Sequence, residues 1–120
     1  MFDFVKKIND SLYQRYLDIE TSYKTYNGSV YVYIQLYLEN LLKYVTENLE
    51  ENFYLDRRES LGSLLDNSIL KNALNDYFGI KDLSKASEIN KKGNGYKHEE
   101  IIDFDQSKVL EYIEYVYDLS

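Results

Sequence analysis

Along the first part of the chain, Val5, Ile8, Leu12, Tyr16, Ile19 and Tyr23 recur at three- and four-residue steps, the spacing of one face of an amphipathic helix. Asp3 stands in front of the series as its N-cap, so a helix of about five turns is expected. Asn27-Gly28-Ser29 interrupts the pattern. Gly28 is expected in a left-handed C-cap conformation, and Ser29 as the cap of the next helix. Val30, Val32, Ile34, Leu36 and Leu38 then alternate as a strand would, with the β-branched and aromatic character of one. No turn follows, however, and the apolar series runs on through Leu41, Leu42, Val45 and Leu49 at helical spacing. A helix over residues 30–49, apolar on several faces, explains more of the pattern and is expected to be the buried central one.

Further on, Leu55-Asp56-Arg57-Arg58-Glu59 reads as a loop entering a helix, with Asp56 and Glu59 at capping-box spacing. Leu61, Leu64 and Leu65 predict a turn or two, broken at Asp66-Asn67-Ser68. Ile69, Leu70, Ala73, Leu74, Tyr77 and Phe78 predict a short helix stopped by Gly79, with Ile80 placed for the apolar contact of a Schellman cap. Leu83, Ala86 and Ile89 mark a fifth helix, expected to end at Gly93. Val109, Leu110, Ile113, Val116 and Tyr117 mark the last, begun at Asp105. The expected architecture is all-α: a bundle of about six helices, two long ones central, in a single domain over residues 1–120.

Composition sets outer limits on this picture. Apolar residues make up 44% and charged residues 29%, the balance of a folded globular chain. No run approaches the roughly 18 apolar residues that cross a bilayer, and Met1 to Lys7 lacks a signal-peptide pattern. A cytoplasmic protein without membrane contact is expected. With no cysteine in the chain, disulfides, thiolate metal sites and a Cys nucleophile are excluded. The 14 tyrosines alongside no proline or tryptophan match the codon usage of an AT-rich genome, although tyrosine also suits interface margins.

Charge changes the picture more than composition does. The net charge is −7; residues 1–98 hold 14 acids against 13 Lys and Arg, and residues 99–120 hold seven acids against Lys108 alone. A chain built to track phosphate backbones wants a basic face, and none is evident. The acidic tail is either a solvated surface that favours solubility or an acidic, aromatic face that imitates nucleic acid. Glu111, Glu114 and Asp118 fall at helical steps. They predict one acidic stripe opposite Val109, Leu110, Ile113 and Val116, with Tyr112 and Tyr115 bordering it as partner-binding residues.

The segment Lys91-Lys92-Gly93-Asn94-Gly95-Tyr96-Lys97-His98 concentrates the candidate chemistry. His98, the single histidine, is the one side chain that ordinarily titrates near neutral pH and is the candidate catalytic acid/base. Lys91, Lys92 and Lys97 supply positive charge, Asn94 can bond backbone or phosphate, and Tyr96 can stack. A helix-capping turn accounts for the same residues. One histidine with scattered carboxylates lacks the spacing of a metal site. No glycine-rich phosphate loop or nucleophile–base pair is present, so neither metal nor cofactor is expected.

Gly93-Asn94-Gly95-Tyr96-Lys97-His98, preceded by Ile89 and followed by Glu99, resembles the Gly-Asn-x-x-x-His turn of bacterial HEPN-like helical domains. These domains occur on restriction-enzyme motor subunits and in defence and abortive-infection proteins. The long helix with Ile34, Leu38, Glu39, Leu41 and Leu42, the leucine turn Leu61, Leu64 and Leu65, and a terminal helix follow the same order, so the likeness covers about residues 8–118. HEPN ribonucleases carry an Arg separated from the His by four to six residues. Here those positions hold Gly93, Lys92 and Lys91, and Lys lacks the bidentate fork of Arg. The resemblance therefore implies a non-catalytic HEPN-like module that binds a protein partner in a bacterial or phage defence or anti-defence system, paired as a homodimer. A metal-independent endoribonuclease that uses His98 and binds RNA is the first alternative. An acidic nucleic-acid mimic of the anti-restriction or anti-CRISPR type is the second.

Overall fold

The computed structural model describes residues 10–25, 27–47, 60–98 and 104–119. Six α-helices run through them: α1 (Asp10–Lys24), α2 (Val30–Glu47), α3 (Leu61–Asp66), α4 (Ser68–Phe78), α5 (Ser84–Lys97) and α6 (Gln106–Leu119). No strand occurs among the described residues. The expected caps Asp3, Asp56 and Glu59 lie outside them.

The centre is α2. Val30, Tyr31, Ile34, Gln35, Tyr37, Leu38, Leu41 and Leu42 are all buried, an arc of about 160° of the helix circumference, and the other residues of 31–44 are half-buried. With no exposed position along residues 30–44, the helix has neighbours on several sides: α1, α3, α5 and α6 all pack against it. Of the alternating residues, Val30, Ile34 and Leu38 are buried and Val32 and Leu36 partly so, so the alternation belongs to a largely covered helix. The others bury single stripes: Leu12 and Ile19 from α1, Leu61, Leu64 and Leu65 from α3, Leu70 and Leu74 from α4, Ala86 and Ile89 from α5, and Val109, Tyr112, Ile113 and Val116 from α6.

The punctuation follows side-chain chemistry. Ser60 caps α3, accepting the Ser63 amide at 3.2 Å. Asn67 both ends α3, its amide returning to the Leu64 carbonyl, and starts α4, its Oδ1 accepting the Leu70 amide. Gly79 ends α4 at φ 67, a left-handed conformation that disfavours any side chain. The Gly79 and Ile80 amides fold back to the Asn75 and Leu74 carbonyls, one residue wider than a Schellman motif, and Ile80 packs on the core as anticipated. Asp105 starts α6, accepting the Lys108 amide on Oδ1 at 3.2 Å.

Two expectations about breaks are corrected. Gly28 is not left-handed; among the described glycines only Gly79 has positive φ. The Gly28 carbonyl already accepts from the Tyr31 amide, as the first turn of a 3₁₀ entry that needs negative φ. Asn27 makes that turn, its Oδ1 accepting the Ser29 amide at 2.9 Å. Ser29 occupies the cap position through its carbonyl, but its hydroxyl lies 3.4 Å from that of Ser22.

The second correction is larger: Gly93 does not end α5. The helix runs through Gly93, Asn94, Gly95 and Tyr96 to Lys97, and His98 is its C-cap.

Candidate functional site

Gly93 lies on the buried face of α5 because Gln35 of α2 occupies the space a side chain would need. A Cβ on Gly93 would sit 2.3 Å from Gln35 Oε1 and 2.9 Å from Gln35 Cβ. Gln35 is only 3% exposed, so its amide must be satisfied by protein. Its Nε2 donates to Asn90 Oδ1 at 2.9 Å and Asn94 Oδ1 at 2.9 Å, with the Asn90 carbonyl at 3.2 Å. Two N–H groups thus serve three acceptors on successive turns of α5. The Oε1 atom has no hydrogen-bond partner among the described residues and rests against Gly93. Gly62 of α3 completes the junction: a Cβ there would lie 3.3 Å from Asn90 Nδ2. Glycines permit the close approach and the three amides fix the register of α5 on α2.

The expected chemical turn is therefore a helix–helix junction. Asn94 is tied to Gln35 through its side-chain oxygen. Lys91, Lys92, Tyr96, Lys97 and His98 are exposed over the last two turns of α5. His98 donates its backbone amide to the Asn94 carbonyl at 3.0 Å, with φ −92° and ψ 18°. Three lysines, a tyrosine and a histidine are thus exposed at this end of α5, spread around the helix at about 100° per residue, with no acid between Ile89 and His98. Among the described residues no cluster of His and carboxylates is arranged to hold a metal ion.

The acidic stripe on α6 is rearranged. Glu111 is not free: it pairs with Lys85 at 2.5 Å and Lys108 at 3.5 Å. The Lys85 hydrogen bond holds the Glu111 carboxyl below, and the lysine above, their ordinary ranges. The pair therefore contributes at neutral pH, and its contribution is lost as the pH falls through the depressed carboxyl pKa. Glu114 and Asp118 are exposed and form no ion pair with another described residue.

Tyr112, expected beside the stripe, is in the core. Its hydroxyl donates to Glu88 at 3.0 Å, and its ring lies edge-on to Tyr31 at 6.4 Å. Burial, then the Glu88 bond, pushes its hydroxyl pKa up. Leu110, expected in the core, is 45% exposed, and Tyr117 is 37% exposed on the same side one heptad later. Tyr115 is half-buried and lines a cleft.

That cleft escapes the sequence altogether. It opens between α2, α4, α5 and α6, with walls that include Leu41, Leu42, Leu74, Phe78, Ala86 and Tyr115. Its members come from five helices, Leu65 of α3 among them, and from the α4–α5 connection, so no local spacing announces it. The Gln35 junction did leave a signal, since Gln35 is the one residue in 30–38 that is neither aliphatic nor aromatic. Comparison with family models, curated proteins and solved structures gives no match for this chain.

Proposed function

We propose that this chain is a non-catalytic, HEPN-like helical module of a bacterial or phage defence or anti-defence system, acting by binding a protein partner. One observation carries the reading: the last two turns of α5 and of α6 each expose charges of one sign, opposite in sign between the two, on helices that also expose aromatic or leucine side chains. The end of α5 bears Lys91, Lys92 and Lys97 with Tyr96, and α6 bears Glu114 and Asp118 with Leu110 and Tyr117. Aromatic and leucine side chains supply buried area at an interface, while the charges set orientation and association rate. The first partner is a second copy of the chain, the lysines of one copy complementing the carboxylates of the other. No helix among the described residues is long and apolar enough to cross a membrane. Against catalysis stands the commitment of Asn94 to Gln35 and of Gly93 to helix packing.

Sedimentation equilibrium at tens of micromolar in low salt is expected to give twice the chain mass of 14.3 kDa. Replacing Glu114 and Asp118 by Lys, or raising the salt, should shift the population to monomer. A wild type that stays monomeric would remove the homodimer. The same preparation is expected to leave RNA intact without metal. Cleavage by the wild type that disappears in His98→Ala would establish the nuclease reading in its place.

A further inference from the structure

We propose that Asn27-Gly28, in the turn between α1 and α2, is a self-modification site where the asparagine converts to aspartate and isoaspartate without an enzyme. This goes beyond the protein-binding reading and does not rest on it. The sequence contains two Asn-Gly pairs, Asn27-Gly28 and Asn94-Gly95. In both, a following residue without a Cβ lets the backbone nitrogen approach the asparagine side chain. The fold treats the two pairs in opposite ways.

Asn27 is exposed and lies outside the helices. Its Oδ1 accepts the Ser29 amide at 2.9 Å, a donor aimed at the oxygen on which negative charge develops when a nucleophile adds to Cγ. The nucleophile is the Gly28 backbone nitrogen, which makes no hydrogen bond with another described residue. Hydroxide removes its proton, the nitrogen adds to Cγ, and the side-chain amide leaves as ammonia, closing a succinimide ring. Water then opens the ring. Cleavage of the new Cγ–N bond leaves aspartate; cleavage of the original peptide bond leaves isoaspartate, with the chain running through Cβ and Cγ.

At Asn94-Gly95 the same chemistry is shut off. Both residues lie within α5, where a backbone N–H is committed to the carbonyl four residues before it. Asn94 Oδ1 is also held by Gln35 at 2.9 Å. Ring closure there would take Asn94 out of helical backbone angles and open the junction with α2. At Asn27 the consequence falls on α2. The Asn27 amide donates to the Ser22 carbonyl, and its carbonyl accepts from Val30. The added backbone carbon of isoaspartate separates these two anchors, beside buried Val30 and Tyr31.

The full chain is incubated at mildly alkaline pH, folded and in urea, and its proteolytic peptides are separated and weighed over time. In the folded chain Asn27 is expected to convert at least about tenfold faster than Asn94, because Asn94 reacts only after local opening of α5. Aspartyl and isoaspartyl peptides should both form. In urea the two pairs should convert at similar rates. Gly28→Ala, which the negative φ there permits, should slow conversion at Asn27 by adding a Cβ beside the attacking nitrogen. Equal rates at the two pairs in the folded chain overturn the proposal, as does a rate that Gly28→Ala leaves unchanged. Aspartyl product alone overturns it too, since direct hydrolysis of the side-chain amide does not use the Gly28 nitrogen. An Asn94 that stays inert in urea would remove the contrast between the two pairs, and the proposal with it.

Discussion

Replacing Gly93 with alanine is expected to destabilise the fold by up to about 2 kcal/mol, although alanine is the better helix former. In an exposed helix interior the change would be favourable by about 1 kcal/mol. Here the new Cβ falls 2.3 Å from Gln35 Oε1 and 2.9 Å from Gln35 Cβ, and the second contact cannot be relieved by rotating the end of the side chain. The options are to shift α5 off α2, an overpacking cost of about 1–3 kcal/mol, or to break the bonds from Gln35 to Asn90 and Asn94. The latter strands buried polar groups at about 1–3 kcal/mol. Either outlay exceeds the gain in propensity. The sign should reverse when Gln35 is first replaced by alanine. In that background Gly93→Ala is expected to be neutral or to stabilise by up to about 1 kcal/mol. Urea unfolding of the four-member cycle measures this, and a Gly93→Ala effect that is the same with and without Gln35 would refute the junction.

The same residues explain what was legible in the sequence. Helix number and class follow from apolar periodicity, which is local. Gly79 and Asp105 were readable because a left-handed cap and a carboxylate cap are also local devices. Gly93-Asn94-Gly95 was misread because Gly and Asn mark turns when backbone conformation is the reason for their presence. At Gly93 the reason is space, set by a residue 58 positions earlier in the chain. A clue existed: Ala86, Ile89 and Gly93 share one helical stripe, all three buried. On α6 the stripe Val109, Tyr112, Ile113 and Val116 is the regular one. Leu110 falls outside it and Tyr112 within it. Residue type suggested the reverse assignment, and geometry decides. The cleft has no such clue, since its walls come together only in the folded bundle.

The lysines of α5 and the carboxylates of α6 illustrate the same division. Lys91, Lys92 and Lys97 lie close in sequence and are all exposed at the end of one helix, so their exposure was readable. Glu111 looked equivalent to Glu114 and Asp118 until α5 supplied Lys85. Surface pairs of this kind contribute little to stability, but they decide which carboxylates remain available to a partner. That is why the charge-reversal variants leave Glu111 unaltered.

Tyr31→Ala is expected to cost about 3–5 kcal/mol, enough to unfold much of the population of a small domain. The ring is buried in the first turn of α2 and meets the Tyr112 ring of α6 edge-on at 6.4 Å. Its hydroxyl accepts the Asp105 backbone amide at 3.1 Å. Asp105 in turn caps α6, its Oδ1 and carbonyl taking the Lys108 and Val109 amides. One side chain of α2 thus fixes where α6 begins, and with it the orientation of Leu110, Glu114 and Tyr117. Tyr31→Phe separates the two contributions: it keeps the ring and should cost only about 1 kcal/mol, the value of one hydrogen bond. Because that loss falls at the start of α6, hydrogen exchange at Lys108 and Val109 should accelerate in Tyr31→Phe more than exchange in α4. Equal destabilisation by the phenylalanine and alanine variants would mean that the hydroxyl, not the packed ring, carries the link. Uniform acceleration across all helices would mean that Tyr31 supports the core without setting the start of α6.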